Sequence, residues 1–99
     1  MVALLSPEDL ANRISALDGW EGDTSGIRRA YKAPDFMSGI SLVAAVAEAA
    51  ETMNHHPDID IRWRTVQFAI VTHSAGGVTA LDVELAGRID ALARERNAE

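Results

Sequence analysis

The chain contains no cysteine, so disulfide staples, thiolate nucleophiles and zinc–cysteine centres are excluded. Any metal would have to use histidines and carboxylates. Basic residues are also scarce: 9 Lys and Arg stand against 15 Asp and Glu, a formal charge of −6. That balance repels phosphate backbones, and no nucleic-acid partner is expected. Long apolar runs are missing too. Ile40 to Ala47 falls far short of a membrane span, and Met1 to Leu5 has no basic flank and reaches Ser6-Pro7-Glu8-Asp9 too soon for a signal-peptide core. The expectation is a soluble, cytoplasmic protein with no membrane partner.

What is present is ordinary for a folded protein. Hydrophobic residues make up 47% of the chain and charged residues 24%, and 99 residues suit a single domain spanning 1–99. Ser6-Pro7-Glu8-Asp9 predicts a helix start, with a hydroxyl cap, proline in the first turn and acids beside the positive end of the helix dipole. Leu10, Ile14 and Leu17 form its apolar stripe, and Asp18-Gly19 ends it. Two β-type segments follow, Trp20 to Asp23 and Ile27 to Lys32, with Ile27, Arg29 and Tyr31 on one side of the pleat.

After Pro34-Asp35, the spacing of Phe36, Ile40, Val43, Ala47 and Ala50, widened by Leu42, Val46 and Met53, predicts a second and most deeply buried helix. Pro57 should stop it near Asn54 or His55. Ile59 to Trp63 alternates as a strand, Arg64-Thr65 turns, and Val66 to His73 is a second, longer strand. Thr79-x-x-Asp82 is a capping-box pattern ahead of Leu81, Leu85, Ile89 and Leu92, the stripe of a third helix, after which Arg94 to Glu99 should fray. The order α-β-β-α-β-β-α implies an α+β two-layer sandwich, a four-stranded antiparallel sheet with three helices on one face. The last strand is apolar on both sides, which makes a homo-oligomer plausible.

All three histidines fall between 55 and 73. Glu51 precedes His55 by one helical turn, so carboxylate and imidazole share a face, and a helix C-terminus favours a cationic ring. His56 follows at the helix exit, His73 at a strand end, and Asp82 in the first turn of the third helix. Imidazoles beside carboxylates suit proton transfer near neutral pH without a covalent intermediate. Plainer readings exist: His55 and His56 as solvated helix-end residues, Glu51 as an exposed helix residue, His73 as a strand terminus, Asp82 as a cap, Trp63 as packing.

Together the residues form one spaced pattern: Glu51-x-x-x-His55-His56-Pro57, then Trp63, His73 and Asp82. The pattern resembles the signature of the pterin-4a-carbinolamine dehydratase family. Looser likeness extends to Leu17-x-Gly19-Trp20, Tyr31-x-x-x-Asp35-Phe36 and Val46-Ala47-Glu48. Two positions depart from it: Leu81 stands where some members carry a basic residue, and Ile59 where an aromatic is usual.

The resemblance implies a cytoplasmic dehydratase that converts 4a-hydroxytetrahydropterin, left by an aromatic amino acid hydroxylase, to quinonoid dihydropterin and water in tetrahydrobiopterin recycling. It implies no metal and no organic cofactor, His55 and His73 as the acid–base pair, Glu51 and Asp82 orienting the imidazoles, and His56 in substrate binding with Trp63 as a further contact. It also implies a homodimer or homotetramer. The rival class is a non-catalytic oligomeric module on the same fold, a dimerisation cofactor or assembly factor. A third reading gathers His55, His56 and His73 around zinc.

Overall fold

The computed structural model describes residues 3–99; Met1 and Val2, the start of the segment read above for a leader, lie outside it. Helix α1 (Pro7–Ser15) begins as its sequence requires, with the Ser6 hydroxyl accepting from the Asp9 N–H at 3.1 Å. Strands β1 (Glu21–Asp23) and β2 (Gly26–Lys32) form the first hairpin, pairing Asp23 with Gly26. Asp23 tightens that turn by accepting from the Ser25 N–H at 2.8 Å.

Helix α2 (Phe36–Met53) starts on the Asp35 carboxylate, which accepts from the Ser38 N–H at 2.7 Å, and stops at Asn54 in the left-handed conformation. Pro57 thus limits the helix where expected. Its buried face is Gly39, Leu42, Val46 and Ala50, whereas Phe36, Ile40 and Ala47 of the expected stripe are exposed. Two offset apolar stripes satisfy helical spacing on this sequence, and closest approach selects one. A Cβ at Gly39 would already touch Val66 at 3.4 Å and Ile61 at 3.5 Å, so the helix lies down on the sheet through its glycine. At 18 residues and mean hydropathy 1.3, α2 does meet the length and composition of a membrane span, but here one side of it packs on the sheet.

Strands β3 (Asp58–Arg62) and β4 (Thr65–Ile70) form the second hairpin, and the sheet order β1-β2-β4-β3 is antiparallel throughout. The turn is Trp63-Arg64, one residue earlier than expected, with Trp63 at φ 56°. The strand expected to reach His73 ends at Ile70. Three successive amides, of Ala75, Gly76 and Gly77, turn back to the Thr72 carbonyl, and His73–Ala75 is a single 3-10 turn. Helix α3 (Ala80–Glu95) follows.

The helices cover the face carrying Ile27, Tyr31, Val66, Phe68 and Ile70, all buried with Leu10, Leu42, Val46, Leu85 and Ile89. The other side of β4 presents exposed Thr65 and Gln67 and half-buried Ala69, in a face shared with Arg28, Lys32, Asp58, Asp60 and Arg62. That face is polar, so it does not itself call for a partner. The C-terminus is held rather than frayed: Ala98 is buried and the Glu99 N–H donates to the Lys32 carbonyl at 2.9 Å. Beneath it, Asp90 is buried on α3, and its Oδ1 accepts from Trp20 Nε1 at 3.0 Å, Arg29 Nη1 at 3.0 Å and the Tyr31 hydroxyl.

Candidate active site

The left-handed backbone at Asn54 decides where the first histidine goes. Once the helix ends there, with the His55 N–H donating to the Ala50 carbonyl at 3.0 Å, the His55 ring no longer follows the α2 stripe. It turns inward and is 8% exposed. Its Nε2 lies 2.6 Å from Oδ1 of Asp82, which is fully buried in the first turn of α3. Oδ2 of the same carboxylate accepts from the Thr79 N–H and from the Thr72 hydroxyl, each at 2.8 Å. Asp82 therefore does both things open to it from sequence. It closes the capping box with Thr79 and it holds an imidazole.

Glu51 does not pair with His55 as the turn spacing suggested. Its Oε2 meets Nε2 of His56 at 2.5 Å, and both side chains are exposed. The reason is again the helix end: His55 has left the face that Glu51 occupies, and His56 swings back over it. His73, placed by sequence at a strand terminus, is exposed at the start of the 3-10 turn.

Beside His55 opens a cleft of about 640 Å³, lined by Leu4, Asn54, His55, Thr72, Ser74, Ala75 and Leu81, with Ala3 at its rim. The residues on either side of His73 line it, while His73 itself does not. Trp63 is not brought to this cleft: it is 73% exposed at the far end of β3, about 16 Å of strand away from Asp58. Nor do the three histidines converge. Among the described residues no three His, Asp or Glu side chains are placed to share a metal ion. The zinc reading thus lacks its donor set.

Sequence reasoning missed Thr72 as a site residue and read Thr79 only as a cap. Thr72 carried no signal, being one β-branched residue in a β-rich run; its burial at 4% exposure emerges only from the fold. What the arrangement can do is move protons. A buried imidazole fixed at one nitrogen by a carboxylate, its other nitrogen unpartnered among the described residues, borders a cleft large enough for a fused bicyclic ring.

The family profile described as Pterin 4 alpha carbinolamine dehydratase matches residues 3–92. A protein of Mycobacterium avium is 50% identical over 91 residues, covering 92% of this chain and 97% of its own length. One of Nocardia farcinica is 53% identical over 91 residues, covering 92% and 96%. Both carry the provisional name pterin-4-alpha-carbinolamine dehydratase. The crystal structure of a transcriptional coactivator/pterin dehydratase from Brucella melitensis superposes with a TM-score of 0.86 at 33% identity, covering 90% of this chain and 97% of that one.

Proposed function

Because the chain belongs to the pterin 4 alpha carbinolamine dehydratase family, we propose that it removes water from 4a-hydroxytetrahydropterin to give quinonoid dihydropterin, in recycling of the tetrahydrobiopterin used by an aromatic amino acid hydroxylase. The observation that carries this reading is the buried His55–Asp82 pair bordering the cleft. The C4a–O bond breaks as the departing hydroxyl takes a proton, and the ring system gives up a proton as its electrons form the quinonoid double bond. One group must donate and another accept. As the family pattern implies, His55 and His73 would share those tasks, His73 from the exposed turn whose neighbours Thr72 and Ser74 line the cleft, with Asp82 fixing His55 and Glu51 fixing His56 for contact with the pterin. The reaction so written consumes no metal or organic cofactor, and its setting would be the cytoplasm.

The protein would act as a homodimer or homotetramer. Phe36, Met37 and Ile40 are exposed at the start of α2, and Ile59 and Trp63 are exposed along β3, a free edge of the sheet. Where such side chains form one contiguous patch, an interface ordinarily covers them. In that assembly Trp63 would reach a pterin only from a second copy. The same exposed residues favour the second reading, an interaction module that keeps the fold without the chemistry.

The experiment follows dehydration of freshly generated 4a-hydroxytetrahydropterin by absorbance, with the wild type and with His55→Ala/His73→Ala. Acceleration by the wild type that falls by at least roughly 10²-fold in the double variant is the expected result. A well-folded wild type that does not accelerate the reaction would move the assignment to the interaction module.

A further inference from the structure

Asp82 is an acceptor with three donors around it, and counting protons fixes the direction of every bond in the cluster. The Leu81 N–H donates to Thr79 Oγ1 at 3.2 Å, so that hydroxyl has its own proton left to give. Thr79 Oγ1 and Thr72 Oγ1 are 2.8 Å apart, and Thr72 Oγ1 is 2.8 Å from Asp82 Oδ2. An ionised carboxylate cannot donate, so Thr72 gives its single proton to Asp82 and must receive the proton of Thr79. The chain runs one way, from the Leu81 amide through Thr79 and Thr72 to Asp82. On the other oxygen the donor is His55 Nε2.

The Thr72 hydroxyl is also held in place from its own backbone. The Thr72 carbonyl receives the amides of Ala75, Gly76 and Gly77 at 3.0, 3.1 and 3.3 Å, and its N–H donates to the Gly77 carbonyl at 3.2 Å. Thr72, Thr79 and Asp82 are 4%, 0% and 0% exposed, so water does not substitute for any member. A carboxylate anchored at one oxygen by two donors presents the other in one direction.

From this we infer that Thr72 is a positioning residue: through Asp82 it holds the neutral His55 ring in the tautomer protonated at Nε2 and leaves Nδ1 as the nitrogen that exchanges protons in the cleft. Two adjacent polar residues of the sequence thus have separate tasks, Thr72 acting through the buried carboxylate and His73 standing exposed beside it. The kinetic part of this inference rests on the dehydratase reading. The tautomer does not.

The test records the ring nitrogen resonances of His55 in ¹⁵N-labelled full-length protein over a pH series that reaches the neutral ring, for wild type, Thr72→Val and Thr72→Ser. Valine keeps the shape and the branching but has no proton to give; serine keeps the hydroxyl. The expected outcome is a single Nε2–H tautomer in wild type and Thr72→Ser, and a mixture of the two tautomers in Thr72→Val. In the dehydration assay kcat of Thr72→Val should fall roughly 10-fold while KM stays within about 2-fold, with Thr72→Ser restoring kcat. A wild-type ring protonated at Nδ1, or a Thr72→Val protein with an unchanged tautomer, overturns the inference. If Thr72→Val does not fold, Thr72→Ala is read by the same criteria. If the wild type shows the Nε2–H tautomer but has no activity on the pterin, the positioning role stands and the dehydratase reading falls.

Discussion

Two imidazole–carboxylate pairs lie within a few residues of each other, and burial separates their roles. The His56–Glu51 pair is in solvent, where an ion pair of this kind contributes little to folding. The His55–Asp82 pair is out of water, and its carboxylate also closes the cap of α3, so it cannot be altered without cost to the fold. His56 is therefore the residue whose removal separates binding from stability. His56→Ala should leave the thermal midpoint unchanged and raise KM for the pterin roughly 10-fold with kcat within a few-fold, in steady-state assays beside a melting curve. A fall in kcat at unchanged KM would move His56 into the proton-transfer steps. At this scale the sequence identified the residue types but not all the pairings. Helical spacing assigned Glu51 to His55, and the assignment fails because a single left-handed residue, Asn54, takes His55 off the helical stripe. Asparagine shortly before Pro57 does hint at a left-handed helix end, but which way the following His55 then faces depends on Asp82, which only the fold brings near.

Among the elements, α2 carries the least obvious lesson. Its existence, start and end follow from Asp35, the apolar spacing and Pro57, whereas the face it buries does not. Leu42, Val46 and Ala50 belonged to the apolar face read from sequence, but Phe36 and Ile40 were read with them, and the helix instead approaches the sheet through Gly39. The contact still leaves room for one methyl group, as the nearest side-chain carbons are 3.4 and 3.5 Å from where it would sit. Gly39→Ala should raise stability by up to about 1 kcal/mol through helix propensity, while Gly39→Leu should lower it by about 1–3 kcal/mol by forcing α2 from the sheet. Urea denaturation midpoints of the two variants give the comparison, and a loss in Gly39→Ala would mean the helix sits tighter than described. The end of β4 has a local cause. Alternation favoured a strand to His73, but the amides of Ala75, Gly76 and Gly77, three to five residues on, turn back to the Thr72 carbonyl with Gly76 at φ 81°, and that turn ends the strand pairing early.

Over the whole molecule, the strand order places β2 and β4 at the centre and lets Asp90 fasten α3 to β2 and to the residue before β1 at once. Burial, followed by the hydrogen bond to Asp90 and the charge of Asp90, pushes the Tyr31 phenol well above its usual range. The unfolded chain would release that proton near pH 10, before the folded one does. Stability should therefore be independent of this group below about pH 10 and decline as pH rises through the folded value. Denaturant midpoints between pH 8 and 11 should show the decline in wild type and a shallower one in Tyr31→Phe, whose lower overall stability reflects a buried carboxylate short of one donor. Equal slopes would take Tyr31 out of the alkaline response.

The order β1-β2-β4-β3 also bears on how the chain reaches this state. Each hairpin is local, yet the central ladder joins Ile27 to Ile70 and Lys32 to Thr65, so neither hairpin acquires its full partner until α2 has folded back between them. Closing that long loop costs chain entropy that local hairpins do not. His55 lies at the far end of the crossing helix, and Asp82 begins the element that comes last. The imidazole and its carboxylate are 27 residues apart in sequence and meet only through tertiary structure, so an unfolded chain carries the motif without the site.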